Sequence, residues 1–267
     1  MTAGSHIQAQ NPNSSGNILS LDFGGSRVKS VVLCPQGTTL SPFIVEEIPY
    51  PFAPSDMLAT ISNHARNHIV DIERITVGIP GIVRDGVVIH TPHYIRPAGP
   101  GGQVDVELEA LWDHCQLQDA IEITTTRPAL VVNDALIAAA AVIAGTGSEL
   151  VLTFGTGLGV AFAVNGRLTE HIEVSHAPSP LGGTFDDIAG AINTADADAD
   201  QWSAQVCAIV AALWPMYRWD RLYIGGGNAL KLNAIARNML QERAATFVDY
   251  EAGARGGARA WTYMGTR

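Results

Sequence analysis

The sequence predicts an α/β protein of two similar lobes, with a ligand in the cleft between them. Two short apolar segments, residues 18–22 and 150–154, each run into a glycine turn that returns as a second strand. Helix-like segments follow both openings, and such a repeat is typical of a duplicated α/β fold. Glycines let backbone N–H groups turn inward and bind phosphate. The two turns together predict a phosphate between the halves, although either turn alone is equally typical of an ordinary strand connection.

The composition is that of a globular protein with a sizeable core. Of the 267 residues, 47% are hydrophobic and 16% are charged, and this length accommodates about two domains. We expect an N-terminal lobe at residues 17–132 and a C-terminal lobe at residues 133–267, whose last helix is able to pack back on the first lobe. Residues 1–16 are rich in Asn, Ser and Gln and are expected to form a disordered leader.

Charge, cysteine usage and hydropathy argue against several classes of function. The net charge of -10 argues against a nucleic-acid surface, which needs clustered Lys and Arg. The three cysteines are far apart and favour neither a disulfide framework nor a metal site. The chain start has no basic segment before an apolar core, and the longest apolar stretch, residues 135–144, is too short to span a bilayer. We expect a cytoplasmic protein without nucleic-acid or membrane partners.

The first half contains alternating strand and helix patterns. Short apolar runs bounded by turn residues predict strands at residues 18–22, 28–33, 44–48, 75–79 and 87–90. Apolar residues at helical spacing predict helices at residues 54–69, with Ser55 as the N-cap, and at 106–115. Residues 91–102, rich in Pro and Gly, predict a loop.

The second half restarts this alternation. Strands are predicted at residues 129–132, 150–154, 160–164 and 221–224, with a hairpin turn at Asn165-Gly166. Helices are predicted from residue 135, at 202–214 and at about 229–242. Residues 182–199 are polar and become acidic, and a glycine-containing tail follows the last predicted helix.

Asp22 and Lys29 flank the first glycine turn. A carboxylate beside phosphates is typical of a Mg²⁺ site, in which Asp22 binds the metal directly or through water. An Asp that closes a turn with its own side chain is about as frequent in loops. Lys29 either offsets phosphate charge or lies exposed at the end of the turn. The second turn, residues 153–159, supplies hydroxyl and N–H groups with no negative charge, as a second phosphate clamp requires.

Asn133 and Asp134 lie between a predicted strand and a predicted helix. Both residue types are preferred helix N-caps. A carboxylate at the mouth of an α/β cleft is also suited to accept the proton of a substrate hydroxyl during phosphoryl transfer. The sequence favours neither role, and one residue is able to serve both.

Two further groups complete the candidate site. Glu173 and His176 are spaced so that they share one face of a turn, either as surface residues or as ligands of sugar hydroxyls. Residues 225–227 are consecutive glycines at the end of a strand, which allow a base or a phosphate chain to lie against the backbone. A plain turn into a helix is the alternative for these glycines.

In order and spacing, these motifs resemble those of the ROK sugar kinases, a family of the actin-like and hexokinase superfamily, and in particular its short polyphosphate glucokinase-like branch. The resemblance extends from Ile18 to about Trp261. The matching segments are residues 22–26 with Lys29 (first phosphate motif), 78–83 (inner strand), 133–135 (catalytic segment), 155–159 (second phosphate motif), 173–176 (the sugar motif Glu-x-Gly-His) and 222–229 (donor-side motif).

The resemblance implies a two-lobed, ribonuclease H-like actin-like ATPase fold. It implies a hexose kinase that transfers a phosphoryl group from ATP or inorganic polyphosphate to a sugar 6-hydroxyl, with Asp134 as general base and Mg²⁺ at Asp22. We also expect a homodimer. The expected sugar ligands are Asn133, Glu173, His176, Gly81 and His93. The expected phosphate and nucleotide ligands are Asp22, Gly24, Gly25, Ser26, Lys29, Thr153, Gly155, Thr156, Gly157, Gly159, Gly225, Gly226, Gly227 and Asn228.

The chain departs from the family pattern in three places. It lacks the cysteine-rich zinc loop that follows Glu-x-Gly-His in many members, so no zinc is expected at His176. Ser175 replaces the usual glycine, and residues 91–97 read Thr-Pro-His-Tyr-Ile-Arg-Pro where the family carries an Asn and then a Trp. The last two changes slightly favour the alternative of a catalytically impaired sensor of sugar or nucleotide. A DNA-binding repressor is not expected, because no helix-turn-helix segment is present.

Overall fold

The computed structural model describes residues 16–190, 198–249 and 251–264. Apart from Gly16, the expected leader at residues 1–16 lies outside the described residues, as does part of the acidic segment 182–199. Within the described ranges, no helix combines the length and hydropathy that crossing a membrane requires.

The first half of the chain builds a five-stranded sheet in the order β3-β2-β1-β4-β7. Strands β1, β2 and β3 form an antiparallel meander, and β4 and β7 extend the sheet in parallel with β1. A separate hairpin, β5 with β6, follows β4. The strands are β1 Ile18–Phe23, β2 Arg27–Leu33, β3 Ile44–Glu47, β4 Arg74–Ile79, β5 Ile82–Arg84, β6 Val87–His90 and β7 Ala129–Asn133.

The second half builds a sheet of the same pattern, in the order β10-β9-β8-β11-β12. Here too an antiparallel meander, β8-β9-β10, is extended by two parallel strands. The strands are β8 Ser148–Phe154, β9 Leu158–Val164, β10 Arg167–Leu168, β11 Arg221–Gly225 and β12 Ala245–Phe247. The matching topologies confirm the α/β fold with two similar halves.

Helices cover both sheets. They are α1 Pro54–Asn67, α2 Val106–Trp112, α3 Leu117–Thr125, α4 Asp134–Val142, α5 Phe185–Ala189, α6 Ala199–Tyr217, α7 Ala234–Gln241, α8 Ala252–Arg255 and α9 Gly257–Met264. Helix α4 is apolar on all sides, as is typical of an enclosed helix. Leu136 and Ala139 pack against Val151 of the second sheet, whereas Ile137 packs against Val132 of the first. Asp134, the first residue of α4, therefore lies where the two sheets meet.

The glycine-containing tail is helical, which the sequence pattern did not predict. Helices α8 and α9 pack on β1 and α4, and glycines permit this close approach. A Cβ at Gly256 would lie 1.8 Å from the carbonyl oxygen of Ile137, and one at Gly257 would lie 2.1 Å from Ser20 Oγ. Glycine disfavours helix in isolation, so the tertiary packing, and not the local propensity, explains these two helices.

Two other local predictions were wrong, and some elements were missed. Ser55 is not the N-cap of α1; Ala53 is, and its N–H donates to Asp56 Oδ2 over 2.8 Å. The helix expected at residues 229–242 is divided into a short 3-10 turn, Gly227–Lys231, and α7. Helix α3 and strand β12 were not predicted at all.

A buried cluster of polar side chains links α1 and the residue after it to β2 by hydrogen bonds. Ser30 Oγ lies 2.6 Å from His64 Nδ1 and 2.9 Å from His68 Nε2. His64 Nε2 lies 3.2 Å from a carboxylate oxygen of Glu46. Because a carboxylate accepts, His64 Nε2 carries the proton, Ser30 donates to Nδ1, and His68 donates to Ser30. Burial lowers the pKa of both histidines, so both are neutral at pH 7.5.

Replacing Ser30 by Ala is expected to lower the free energy of unfolding by roughly 1–3 kcal/mol, because two buried ring nitrogens lose their partner. The measurement is urea unfolding at pH 7.5. Ser62→Ala is the matched control, since the Ser62 hydroxyl donates to the Leu58 carbonyl of its own helix, and the unfolding free energy of this variant should change little. Equal stability of the two variants would contradict the proposed hydrogen-bond chain.

Candidate active site

A cavity of about 620 Å³ lies between the two sheets. The structure brings every predicted site residue to its lining, from the turns after β1, β8 and β11, the start of α4, and the segments around His93 and Glu173. Residues distant in sequence thus meet in one cleft, whereas their chemical roles remain predictions.

The first and second glycine turns face each other across the cleft. Gly24 N–H donates to the Arg27 carbonyl over 2.9 Å and closes the first turn. A Cβ at Gly25 would lie 2.8 Å from His93 Cδ2 and 3.0 Å from Thr156 Cγ2. Gly25 is therefore in contact with both the second turn and the predicted sugar loop, and a side chain there would close the space between them.

Asp22 and Lys29 form an almost fully buried ion pair. Lys29 Nζ lies 2.9 Å from Asp22 Oδ2, and the two side chains are only 11% and 13% exposed. The two residues are paired across β1 and β2, which explains why they meet. The alternative in which Lys29 lies exposed was wrong, because it points into the cleft with its charge offset by Asp22.

Asp22 suits the kind of Mg²⁺ site that water and substrate phosphates complete. Mg²⁺ in phosphoryl-transfer sites usually takes one or two carboxylates and keeps several waters, and Asp22 supplies one carboxylate at the cavity wall. Across residues 16–190, 198–249 and 251–264, no three His, Cys, Asp or Glu side chains are placed to enclose a metal. The residues thus fit a metal held jointly with a phosphate donor.

The second turn has no negative charge in its own residues, but a carboxylate from another segment lies beside it. Asp186, at the start of α5, accepts from the Leu158 N–H over 2.7 Å, and a Cβ at Gly157 would lie 2.7 Å from its Oδ1. Burial raises the pKa of Asp186, and the Leu158 hydrogen bond opposes this rise. A phosphate at this turn therefore meets the Asp186 side chain as well as backbone N–H groups.

A third glycine turn, residues 225–227 at the end of β11, is hydrogen-bonded to the second turn. Asn228 Nδ2 donates to the Gly155 carbonyl over 2.9 Å, and Trp202 Nε1 donates to the Asn228 carbonyl over 2.9 Å. Gly226 has φ +87° and ψ 161°, and a Cβ there would lie 2.3 Å from the Phe154 carbonyl oxygen. Only glycine fits this backbone, so the ends of β8 and β11 stay close together.

Asn133 takes one of the two roles that the sequence left open, that of the helix N-cap. Asn133 is the N-cap of α4: its Oδ1 accepts from the Ala135 N–H over 2.9 Å, and its Nδ2 donates to the Gly81 carbonyl over 2.9 Å. Asp134 follows as the first helical residue and lines the cavity. Burial, together with the negative charge of Asp22, raises the pKa of Asp134 to about 7. A carboxylate with this pKa is matched to proton transfer near neutral pH.

The opposite wall carries Glu173 and several histidines. Glu173 accepts from Ser175 Oγ over 2.5 Å, and its other oxygen lies 3.3 Å from His171 Nε2. Although burial opposes it, these hydrogen bonds lower the pKa of Glu173 and keep it charged. Burial lowers the pKa of His93 to about 4, so a neutral imidazole faces the cleft. His176 is exposed at the rim, with its ring 6.4 Å from that of His90.

Sequence reasoning missed several residues of the site, among them His171, Asp186, Tyr50 and Tyr94. His171 and Asp186 line the cavity, and their sequence surroundings match no motif. Tyr50 and Tyr94 donate hydrogen bonds to backbone carbonyls of the first turn. The position of Tyr94 next to His93 was the one available signal, because the altered loop had already been singled out.

Two sheets of one topology, with glycine turns that meet at a common cleft, define the two-lobed actin-like ATPase fold. The solved structures that match this chain include ROK family sugar kinases and also a ROK family transcriptional regulator. The chain is similar to the inorganic polyphosphate/ATP-glucomannokinase from Arthrobacter sp. strain KM, with 21% identity, a TM-score of 0.72, and coverage of 91% of this chain and 97% of that one.

Two further structures support the same fold. One is a ROK family glucokinase from Streptomyces griseus in complex with glucose and AMPPNP, with 19% identity, a TM-score of 0.71, and coverage of 91% and 98%. The other is the ROK hexokinase from Thermus thermophilus, with 19% identity, a TM-score of 0.61, and coverage of 92% and 98%. No protein-family model matches the sequence, and no curated protein is significantly similar to it. At these identities the comparisons establish the fold.

Proposed function

We propose that this protein is a ROK family sugar kinase that transfers a phosphoryl group to a hexose 6-hydroxyl, with Asp134 as general base. The observation that carries the proposal is the position of Asp134: a carboxylate with a raised pKa at the N-terminus of α4, in the cleft that the phosphate turns enclose. The similar fold of three sugar kinases supports it.

The donor phosphates would lie between the turn after β1 and the turn after β8. Backbone N–H groups of both turns, with Lys29, would stabilise the charge on the transferred group. Mg²⁺, when bound near Asp22, supplies charge neutralisation between donor phosphates. Asp22 and Lys29 already hold each other at 2.9 Å, so this side of the cleft is ordered before the donor arrives.

The acceptor would lie against Glu173, His93 and His176, opposite the phosphate turns. Charged Glu173 accepts hydrogen bonds from sugar hydroxyls, and neutral His93 can donate or accept one. Asp134 then accepts the proton of the hydroxyl that attacks the phosphorus. Asn133 holds α4 against Gly81, which fixes the base relative to the acceptor.

The charges along the cavity favour MgATP over inorganic polyphosphate as donor. Among the described lining residues the cations are Arg27 and Lys29, and Lys29 is paired with Asp22. The carboxylates along the same lining are Asp22, Asp134, Glu173, Asp186 and Asp249. A long polyanion needs a positive groove, whereas a nucleotide needs only a short anionic segment neutralised by Mg²⁺.

The test is a panel of glucose, mannose and N-acetylmannosamine, each with MgATP or polyphosphate, scored for sugar phosphate by mass spectrometry. We expect product from at least one sugar with MgATP. Sugar phosphate that forms with polyphosphate but not with MgATP would contradict the donor assignment. If the protein binds sugar but no pair gives product, the kinase proposal is wrong and the alternative of a catalytically impaired sensor is favoured.

The pH dependence follows from the raised pKa of Asp134. Since only the ionised carboxylate accepts a proton, kcat/KM for the sugar is expected to fall below about pH 7, by about tenfold per pH unit. A metal bound near Asp22 would offset the negative charge that helps to raise the pKa of Asp134. The pH below which kcat/KM falls is therefore expected to be lower when the metal is bound. A pH–rate profile at two Mg²⁺ concentrations measures both effects. A profile that stays flat to about pH 4 would contradict a carboxylate base of this kind.

A further inference from the structure

Two tyrosine hydroxyls bind consecutive carbonyl groups of the first glycine turn. Tyr94 Oη donates to the Gly24 carbonyl over 2.8 Å, and Tyr50 Oη donates to the Gly25 carbonyl over 2.6 Å. Burial raises the pKa of both phenols, so both keep their protons and act as donors. The Tyr94 side chain is buried and the Tyr50 side chain is half-buried, and the centroids of their rings lie 6.3 Å apart.

These hydrogen bonds determine where the neighbouring N–H groups point. In a trans peptide the C=O and the N–H lie in one plane and point in opposite directions, and the peptides of this turn are trans. With the Gly24 carbonyl held by Tyr94, the Gly25 N–H points away from the interior. With the Gly25 carbonyl held by Tyr50, the Ser26 N–H does the same. Gly25 and Ser26 both line the cleft, so their N–H groups are placed where a bound anion could accept from them.

Tyr94 also belongs to the loop that meets the acceptor. It follows His93, whose ring lies against Gly25. The Tyr94 ring is packed against Phe52 and Trp112, with centroids 5.1 Å and 5.4 Å away. Arg96 braces the same loop by donating to the carbonyl of Pro92 over 2.9 Å. If a bound sugar displaces His93, the adjacent Tyr94 can therefore carry that displacement to the peptide plane that it holds, whereas Tyr50 lies on a different segment.

We propose that Tyr50 and Tyr94 are positioning residues that orient the anion-binding N–H groups of the first turn, and that Tyr94 couples acceptor binding to donor binding. The proposal rests on the proposed function for the identity of the two ligands. It predicts that sugar tightens nucleotide binding, and that this effect passes through the Tyr94 hydroxyl. A merely structural tyrosine would leave the coupling between the two ligands unchanged.

The test measures the affinity of Mg·AMPPNP by calorimetry, without sugar and with saturating glucose or mannose. Tyr50→Phe is expected to weaken AMPPNP binding by roughly three- to tenfold in both conditions, the effect of one lost hydrogen bond. Tyr94→Phe is expected to weaken it similarly and also to abolish the tightening by sugar. Both variants keep the packed ring. Tyr217→Phe, on α6 in the other half, is the matched control and should behave as the wild type.

The outcomes separate this proposal from the proposed function. Wild-type protein that binds both ligands cooperatively but forms no sugar phosphate would overturn the kinase assignment and still support the coupling through Tyr94 if the variants behave as expected. Active wild-type protein with equal coupling in the Tyr94→Phe variant would overturn the inference alone. If Tyr94→Phe melts at a lower temperature than the wild type, the amide chemical shift of Gly25 tests the orienting role separately from stability. We expect this shift to change in the variant, and an unchanged shift would overturn the orienting role.

Discussion

Replacing Asp134 by Asn lowers kcat for sugar phosphorylation by roughly 10²- to 10⁴-fold, the range that a positioned general base contributes. The amide cannot accept the hydroxyl proton, whereas its size and its position at the start of α4 are those of Asp. The KM for the sugar should change little, because Glu173 and His93 supply the other acceptor contacts. Steady-state kinetics with a saturating donor measures both constants.

Stability provides the control for this variant. The pKa of Asp134 is raised on folding, so the folded state gains stability from its proton below the unfolded pKa and loses that stability as the pH rises to about 7. At pH 8 the Asn variant should therefore unfold at no lower temperature than the wild type. Asp113→Asn, at an exposed carboxylate, should leave kcat unchanged. A small change in kcat for Asp134→Asn would remove Asp134 from the mechanism.

Replacing Gly226 by Ala is expected to destabilise the protein by roughly 3 kcal/mol or more, since the strained backbone and the overpacking each cost about 1–3 kcal/mol. The backbone at Gly226 has φ +87°, and the added Cβ would lie 2.3 Å from the Phe154 carbonyl oxygen and 2.6 Å from its nitrogen. The ends of β8 and β11 would have to separate, which displaces both glycine turns on the donor side. Urea unfolding and AMPPNP affinity report the two effects.

Gly155→Ala is the matched control for stability. Gly155 belongs to the neighbouring turn, but it has no atom within 4 Å of an added Cβ and no positive φ. Its variant should unfold at nearly the wild-type urea concentration. Similar destabilisation by the two substitutions would show that the close approach at Gly226 is not what holds β8 and β11 together.

Local sequence patterns were sufficient for the parts of the site that depend on backbone conformation. Strands that run into closely spaced glycines favour a turn, because glycine adopts conformations that other residues avoid, which is why the turns at Gly24, Gly155 and Gly225 were predictable. Motif order then placed Asp134 and Glu173 correctly in one cleft. Each of these inferences needed only residues adjacent in sequence or a resemblance in spacing.

The remaining features depend on contacts between distant segments. Asp186 reaches the turn at Gly157 from a different segment, and nothing near either residue predicts the contact. The hydroxyls of Tyr50 and Tyr94 find carbonyls about 25 and 70 positions away in the chain. The helical tail at Gly256 likewise depends on its packing against α4, which overrides the low helix propensity of glycine.

The central claim, that Asp134 activates a sugar hydroxyl for attack on a donor phosphate, is tested most directly by ³¹P NMR of a reaction with MgATP and the sugar that the panel identifies. The account predicts a sugar 6-phosphate resonance that grows with wild-type protein and grows at least about a hundredfold more slowly with Asp134→Asn. Release of inorganic phosphate without sugar phosphate, or equal growth of the sugar phosphate signal with both proteins, would contradict it.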